Sequence, residues 1–186
     1  MKKLILLIVA IGLLFPIGAQ DLKSVQEPLI VFLVRHAEKV DSSRDPELSE
    51  AGKERALELA SSLASAELEH IYSTDFIRTR ETVRTTAKQF DLELELYNPS
   101  DLAAFAQKLK SAGGRHLVVG HSNTTPQLAE LLGGDPYGAI DEKGEYNRLY
   151  VIAFDGDEGV NTLLLRYGMA DSNKQLMDTI TIFITN

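Results

Sequence analysis

The chain has 186 residues, of which 44% are apolar and 25% charged, as in one folded domain with a substantial core. Its 27 acidic residues outnumber the 19 basic ones and give a net charge of −8. This excess argues against nucleic acid or an anionic membrane surface as the main partner. The chain has no cysteine, which excludes disulfide bonds and thiolate metal sites.

The first residues have the pattern of a secretory signal peptide. "MKK" supplies positive charge, residues 4–17 form an apolar stretch interrupted by a glycine and a proline, and "GAQ" offers a small-residue cleavage site. The apolar stretch is shorter than most membrane-spanning helices. We therefore expect residues 1–19 to be removed after Ala19 and residues 20–186 to form a single domain. The expected location is the periplasm or the exterior of the cell, without membrane attachment.

The remaining chain alternates between strand and helix patterns. Segment 28–34, "PLIVFLV", is a continuous apolar run, typical of a strand covered on both faces. "HIYS" at 70–73 predicts a second strand and residues 75–90 a second helix. Ser49 is predicted to cap a helix that reaches about residue 66, with its apolar side formed by Leu57, Leu59, Ala60, Leu63 and Ala64.

The alternation continues through the middle of the chain. Segment 92–97 has a period of two and predicts a strand near the sheet edge. Ser100 is predicted to cap a third helix, and the apolar run 116–120 predicts another buried strand. A fourth helix is expected with Pro126 in its first turn and the glycines 133–134 at its end.

The last predicted elements form a hairpin. Segments 148–154 and 162–168 are strand-like and are joined by the turn-rich "DGDEGVN". Segment 179–185, "TITIFIT", also alternates like a strand, but the pattern does not indicate its place. Strands that alternate with helices predict an α/β fold: a three-layer sandwich with a mostly parallel central sheet flanked by helices.

Polar residues follow several of the predicted strands. Arg35 and His36 follow the first strand, Arg78 lies in the helix after the second, and His121 follows the strand that ends at residue 120. Ligands of α/β sheets bind outside the carboxyl ends of the strands, so these side chains are expected to meet. Two arginines and two histidines in one cleft predict an anion site, because arginine forms forked bonds with phosphate oxygens.

Four motifs in this order resemble those of the histidine phosphatase superfamily, which has the phosphoglycerate mutase-like fold. They are "VRHAEK", "DPELSEAGKERA", "IYSTDFIRTRETV" and "VVGHSNTTPQL", and they cover most of residues 29–132. Each motif is weak alone, but the four together are highly specific. Ala37 stands where many members have glycine, and it keeps a small residue there.

The resemblance implies a phosphatase in which His36 is the nucleophile and carries a phosphohistidine that water then hydrolyses. Arg35, Arg78 and His121 carry over as the phosphate pocket. The implied substrate is small and phosphorylated, and we expect no metal or cofactor because these side chains supply the positive charge. The chain lacks room for long insertions, which favours a compact enzyme similar to the phosphohistidine phosphatase branch.

The proton donor for the leaving group is the least defined role. Glu38 is the favoured candidate, because it lies two residues beyond His36 along the chain. Asp101 and Glu145 are the alternatives. If no acid serves, then phosphohistidine, acyl phosphates and pyrophosphates are the favoured substrates, since their leaving groups need less protonation.

The same residues suggest several other interpretations. A Ser122 nucleophile in "GHSNT" fails, because all four histidines precede it and hydrolase triads place the histidine last. A zinc deaminase fails without cysteine, while a two-histidine metal site with Glu38 stays open. The main rival is a phosphate-binding module with little catalysis. Structural or surface roles are expected for three further residues: His70, His116 and Arg80.

Overall fold

The computed structural model describes residues 28–154 and 159–168. The predicted signal peptide 1–19, the tip of the predicted hairpin and the strand-like segment 179–185 lie outside the described residues. Among the helices of the described part, none is long and apolar enough to cross a membrane.

In the described residues a central sheet has six strands, in the order β3-β2-β4-β1-β5-β6. The first four strands in this order run parallel, and β5 and β6 form an antiparallel hairpin beside β1. The strands are β1 (Leu29–Arg35), β2 (His70–Ser73), β3 (Leu94–Leu96), β4 (Gly114–Gly120), β5 (Arg148–Phe154) and β6 (Val160–Arg166).

The described part of the chain has four helices, which cover the two faces of this sheet. They are α1 (Glu50–Ser62), α2 (Ile77–Phe90), α3 (Leu102–Ala112) and α4 (Thr124–Leu132). One apolar core lies between the sheet and the α1–α2 layer, and a second lies between the sheet and the α3–α4 layer. The predicted three-layer sandwich with a mostly parallel sheet is therefore confirmed.

The buried side of α1 differs from the prediction. Leu57 is 58% exposed and Ala64 is also exposed, whereas Gly52, Arg55 and Ala56 are buried. With about 100° per residue, these positions form one stripe with Leu59, Ala60 and Leu63. The apolar pattern missed the stripe because one of its members is the charged Arg55.

The predicted N-cap of α1 is correct, whereas that of α3 is wrong by one residue. Ser49 caps α1, with its hydroxyl accepting a hydrogen bond from the Gly52 amide at 3.1 Å. The predicted Ser100 cap of α3 is wrong, because Asp101 is the N-cap and accepts from the Ala104 amide at 3.2 Å. Both residue types favour the position, so the sequence left a one-residue ambiguity.

The parallel strands bring the predicted site residues to one edge of the sheet. Arg35 ends β1 and lies opposite Gly120, the last residue of the neighbouring β4. Ser73 ends β2 and lies opposite Val119 on the other side of β4. The chain after each strand therefore emerges at the same edge, which holds the candidate site.

Candidate active site

His36 and His121 lie side by side where β1 and β4 end. The His36 amide donates to the carbonyl of Gly120 at 3.0 Å, which extends the sheet ladder by one residue. His121 follows directly, and the two imidazole centroids are 5.5 Å apart with the rings inclined by 68°. The pairing register of the strands therefore sets the spacing of the two histidines.

The hydrogen bonding of His36 defines which ring nitrogen is reactive. Nδ1 lies 2.7 Å from the carbonyl oxygen of Ala37, which can only accept, so Nδ1 carries the proton. Burial lowers the pKa of His36 to about 3, and the charges of Arg35 and Arg78 act in the same direction. His36 is thus neutral near pH 7, with the lone pair on Nε2 available for attack.

Thr82 holds the loop that carries His36. Its hydroxyl accepts from the Ala37 amide at 2.9 Å and donates to the carbonyl of Arg78 at 2.7 Å. These two bonds connect the loop after β1 to the first turns of α2. Thr82 belongs to the "RTRET" motif, but nothing in that motif indicates this contact.

His121 is positioned by a chain of hydroxyl groups. Its Nε2 lies 3.0 Å from Oγ1 of Thr74, and that hydroxyl lies 3.1 Å from Oγ1 of Thr79. The single Thr74 proton can go to either partner, and when it goes to Nε2 the His121 proton sits on Nδ1. Burial lowers the pKa of His121 to about 4, with Arg78 and Arg35 adding to the effect.

Arg78 lies in the first turn of α2, as predicted, and its guanidinium is held loosely. Nη1 is 3.4 Å from the carbonyl of Arg44 and 3.5 Å from a carboxylate oxygen of Asp45. The guanidinium carbon lies 4.4 Å from the ring centre of Phe76, which in turn packs edge-on against His121. Nε is buried without a hydrogen-bond partner among the described residues. Arg78 therefore has donors to offer an anion.

Arg35 makes several hydrogen bonds within the protein that the sequence did not indicate. Its Nη1 donates to the carbonyls of Asp141 and Glu145 at 3.0 and 3.1 Å, and its Nη2 donates to that of Glu142 at 2.7 Å. Its guanidinium carbon lies 4.0 Å from the ring centre of Tyr146. The buried Nε is without a described partner. Arg35 thus anchors the loop before β5 and keeps its Nε–H for a ligand.

Glu38, the favoured proton donor, is bound to a buried arginine. Nη2 of Arg55 donates to Oε1 at 2.7 Å, and Nε lies within 3.0 Å of both carboxylate oxygens. The Arg55 side chain is only 6% exposed and that of Glu38 17%. Both oxygens accept charge-assisted bonds, so neither is free to deliver a proton. This geometry argues against the prediction that Glu38 is the acid.

The two alternative acids are also engaged. Oε1 of Glu145 accepts from Arg148 Nε at 2.7 Å and from Arg166 Nη1 at 2.6 Å. Burial alone would raise the pKa of Glu145, but these bonds outweigh it and lower the pKa to about 2. Asp101 is exposed and caps α3 through the Ala104 amide. None of the three predicted acids therefore lies free in the site.

The residues expected to have other roles lie apart from this constellation. Arg80 forms an exposed ion pair with Asp75. His70 begins β2, and its Nδ1 lies 3.0 Å from a carboxylate oxygen of Glu95. The ring of His116 stacks on that of His70, with ring centroids 5.1 Å apart. Within residues 28–154 and 159–168, no three His, Asp or Glu side chains cluster as a metal site.

Comparison with known proteins agrees with the motifs. Residues 31–98 match the sequence model of the histidine phosphatase superfamily (branch 1). None of the curated proteins compared matches the chain.

Several solved structures share the fold. A mycobacterial glucosyl-3-phosphoglycerate phosphatase is 15% identical with a TM-score of 0.57, covering 77% of this chain and 100% of that one. The protein histidine phosphatase SixA, solved with tungstate, is 20% identical with a TM-score of 0.57, covering 78% of this chain and 99% of that one. At this identity the likeness shows the phosphoglycerate mutase-like fold.

The family match over residues 31–98 and the shared fold confirm the predicted resemblance to the histidine phosphatase superfamily. The family match also agrees with the prediction of an enzyme of the histidine phosphatase type.

Proposed function

We propose that the chain is a metal-independent phosphatase that works through a phosphohistidine on Nε2 of His36. The observation that carries the proposal is the bond from Nδ1 of His36 to the Ala37 carbonyl, 2.7 Å long, which leaves Nε2 unprotonated. Nε2 attacks phosphorus, and the bond to the leaving group breaks with its electron pair. Water then attacks the phosphohistidine, releases phosphate and restores His36.

Three side chains are proposed to stabilise the transferring phosphoryl group. Arg78 supplies loosely held donors, Arg35 supplies charge and its Nε–H, and His121 supplies Nδ1–H when Thr74 donates to its Nε2. An arriving anion favours that proton arrangement, because the donor then faces the negative charge. Together they neutralise the phosphoryl oxygens without a metal ion.

We propose substrates whose leaving groups depart without a strong general acid. This proposal rests on the engagement of Glu38 with Arg55 and of Glu145 with Arg148 and Arg166. Phosphohistidine, acyl phosphates, pyrophosphates and aryl phosphates meet the requirement, whereas alkyl esters do not. The SixA neighbour is named a protein histidine phosphatase, which supports phosphohistidine as one candidate. The phosphate and vanadate complexes of the mycobacterial neighbour support an anionic ligand.

A phosphate-binding module with little catalysis is the second candidate. The observation that favours it is the commitment of Arg35, whose terminal nitrogens donate to the carbonyls of Asp141, Glu142 and Glu145. A binder would take up phosphate at the same edge without forming a covalent intermediate. Turnover therefore separates the two candidates.

The deciding experiment measures turnover of a nitrophenyl phosphate with and without a metal chelator. We expect turnover that the chelator leaves unchanged, and loss of at least about a thousandfold in His36→Ala. The wild-type chain should retain an acid-labile, base-stable phosphoryl group after rapid quenching. His70→Ala, an exposed histidine away from the site, is the matched control and should keep full activity.

Two results would contradict this proposal. Comparable turnover by the His36→Ala protein would exclude His36 as the nucleophile. Binding of phosphate without turnover by the wild-type protein would favour the binding module instead.

We also propose that residues 1–19 direct export and are then removed. The support is the sequence pattern of a charged start, an apolar stretch and a small-residue site before Gln20. Mass spectrometry of the chain made in its own host would find Gln20 at the N-terminus. A chain that keeps its first residues and stays in the cytosol would contradict the proposal.

A further inference from the structure

Asp45 opens the "DPELSEAGKERA" motif and lies at the N-terminus of α2. Its Oδ1 accepts a hydrogen bond at 2.8 Å from the amide of Ile77, the first residue of that helix. The same oxygen lies 3.5 Å from Nη1 of Arg78. A carboxylate therefore stands directly beside the arginine that is proposed to bind the phosphoryl group.

Only one of the two carboxylate oxygens of Asp45 is engaged. Within residues 28–154 and 159–168, Oδ2 has no hydrogen-bond partner, and the side chain is 36% exposed. By contrast, both oxygens of Glu38 accept hydrogen bonds from Arg55, and both oxygens of Glu145 accept hydrogen bonds as well. Asp45 thus has an oxygen that can take a proton and pass it to solvent.

Several contacts hold the segment that carries Asp45 in place. Lys39 and Leu48 form an antiparallel bridge that closes the loop between them. The amide of Leu48 donates to a carboxylate oxygen of Glu81 in α2 at 2.9 Å. The buried Leu48 side chain packs with Ala37, the residue after the nucleophile. Asp45 is therefore fixed relative to α2 and to the nucleophile by buried packing and by hydrogen bonds.

The distances leave room for one water molecule between Asp45 and a bound phosphoryl group. A phosphoryl oxygen bound at Nη1 of Arg78 would lie about 2.9 Å from that nitrogen. Because Oδ1 of Asp45 is 3.5 Å from the same nitrogen, the two oxygens would be at most about 6.4 Å apart. A single water that bonds to both oxygens spans up to about 5.6 Å. The carboxylate can therefore reach a water that lies next to the phosphoryl group.

We propose that Asp45 is the general base of the second step, an inference that rests on the proposed phosphohistidine mechanism. Its Oδ2 accepts a proton from the water that attacks the phosphohistidine. As the water oxygen bonds to phosphorus, the bond between phosphorus and Nε2 of His36 breaks, and its electron pair returns to Nε2. Phosphate leaves with the other water proton, and solvent takes the first proton from Oδ2.

Asp45 suits this role better than the second histidine of the site. In-line displacement places the attacking water on the side of phosphorus opposite Nε2 of His36. His121 stands beside His36, with ring centroids 5.5 Å apart, and its own Nε2 is bonded to Thr74. An aspartate is ordinarily ionised near pH 7 and accepts a proton without further activation. An ionised carboxylate does not protonate a leaving group, which agrees with the substrates proposed above.

Replacing Asp45 by asparagine separates proton transfer from the support of α2. The side-chain oxygen of asparagine still accepts from the Ile77 amide, but the neutral amide takes no proton from water. In Asp45→Asn, hydrolysis of the phosphohistidine should slow by at least about 100-fold, the usual effect of losing a general base. Its formation from a nitrophenyl phosphate should stay within about threefold of the wild-type rate, because that step does not use the base. Rapid-quench single-turnover kinetics measures both steps.

Steady-state kinetics distinguishes a base from a residue that only positions Arg78. The ratio kcat/KM reports the transfer to His36, whereas kcat also includes the hydrolysis. Asp45→Asn should therefore lower kcat by at least about tenfold and leave kcat/KM within about threefold. Asp45→Glu keeps a carboxylate and should hydrolyse the phosphohistidine at least about tenfold faster than Asp45→Asn. Glu47→Gln, an exposed carboxylate of the same segment, is the matched control and should change neither step.

The results that overturn this role differ from those that overturn the proposed function. Equal slowing of formation and hydrolysis in Asp45→Asn would show that Asp45 positions Arg78 without taking a proton. Hydrolysis at the wild-type rate in Asp45→Asn, or an Asp45→Glu chain no faster than Asp45→Asn, would exclude Asp45 as the base. In all of these cases the phosphohistidine still forms and the proposed function stands. Absence of a phosphohistidine from the wild-type chain would reject that function and this inference with it.

Discussion

The two arginines at the sheet edge that carries His36 differ in how tightly the protein binds their N–H donors. The terminal nitrogens of Arg35 are bonded to backbone carbonyls, whereas Arg78 makes contacts of 3.4 and 3.5 Å. A short, well-aligned hydrogen bond is costly to exchange for a ligand, and a long one is not. Removal of Arg78 should therefore lower kcat/KM by the most direct route, the loss of contacts with the substrate.

Replacing Arg78 and Arg80 of α2 by alanine, one at a time, tests this placement. Arg78→Ala should lower kcat/KM by about 100-fold or more, the usual effect of removing a donor to a developing anion. Arg80→Ala should lower it by less than about threefold, because Arg80 pairs with Asp75 on the surface and points about 200° away around the helix. Steady-state kinetics on a nitrophenyl phosphate measures both. Equal losses in two folded proteins would show that Arg78 does not contact the substrate.

Substitution of Glu38 tests whether it acts as an acid or as an ion-pair partner. Glu38→Gln should leave the ratio of alkyl to nitrophenyl phosphate cleavage unchanged, because the carboxylate is bound to Arg55. It should lower the free energy of unfolding by about 2–4 kcal/mol, because the buried Arg55 loses its ion pair with this carboxylate. Denaturant titration measures the second effect.

A control on α1 makes the Glu38 result specific. Glu54→Gln changes an exposed carboxylate on the same helix as Arg55 and should alter neither quantity. A selective loss of alkyl phosphate cleavage in Glu38→Gln would restore Glu38 as the proton donor.

The sequence predicted the position of the charged residues better than their partners. Arg35, His36 and His121 end up together because strand ends in a parallel sheet share an edge, and periodicity identifies strand ends. The contacts of Arg35 were not predictable, because its partners are backbone carbonyls that leave no residue signature. The nearness of Glu38 to His36 along the chain does not indicate its ion pair with Arg55.

At the scale of elements, α1 is seated directly on the loop that carries the nucleophile. A Cβ at Gly52 would lie 2.2 Å from the carbonyl oxygen of Glu38, which also accepts from the Ser49 amide at 2.9 Å. The helix can approach this closely only because residue 52 has no side chain. The glycine of the "LSEAG" motif thus has a packing role that links α1 to His36.

A methyl group at this contact should disturb both stability and catalysis. Gly52→Ala is expected to lower the free energy of unfolding by about 1–3 kcal/mol or more, because backbone must move to relieve the overlap. The displaced Glu38 loop should also lower kcat. Lys53→Ala, one residue along on the exposed side of α1, is the control and should change neither. Thermal unfolding followed by circular dichroism measures the stability, and an unchanged Gly52→Ala protein would contradict the contact.

Elements were predicted with unequal success for a physical reason. The β5–β6 hairpin and α4 agree with their apolar patterns and glycine signals, because local chemistry alone specifies them. The buried stripe of α1 was wrong at Leu57, because tertiary pairing of Arg55 with Glu38 overrides hydrophobicity there. The hydrophobic pattern of one helix does not indicate an ion pair with a residue far away in the sequence.

For the whole molecule, the strand order was the information that the sequence lacked. Alternating strands and helices indicate a mostly parallel sheet, but they do not specify that β4 lies between β2 and β1. That position places His121 between the ends of β1 and β2, beside both His36 and Thr74. The site therefore depends on the topology as much as on the motifs.

Burial of two neutral histidines beside two arginines also makes the stability of the fold depend on pH. The pKa of His36 is lowered to about 3 and that of His121 to about 4, both from 6.5. Below pH 6.5 these two histidines bind protons in the unfolded chain but not in the folded chain. Stability therefore rises with pH in this range, by up to about 1.4 kcal/mol per pH unit for each group.

The measurement compares denaturant unfolding of the wild-type chain and a His36→Gln, His121→Gln chain between pH 6.5 and 5. The wild type should lose stability steadily on acidification, and the double variant should lose distinctly less. His116 keeps some slope in both, because burial lowers its pKa too. Glu145 acts in the same direction but at lower pH, since its pKa is lowered to about 2 from 4.5. Equal slopes for the two chains would show that His36 and His121 are not held neutral by the site.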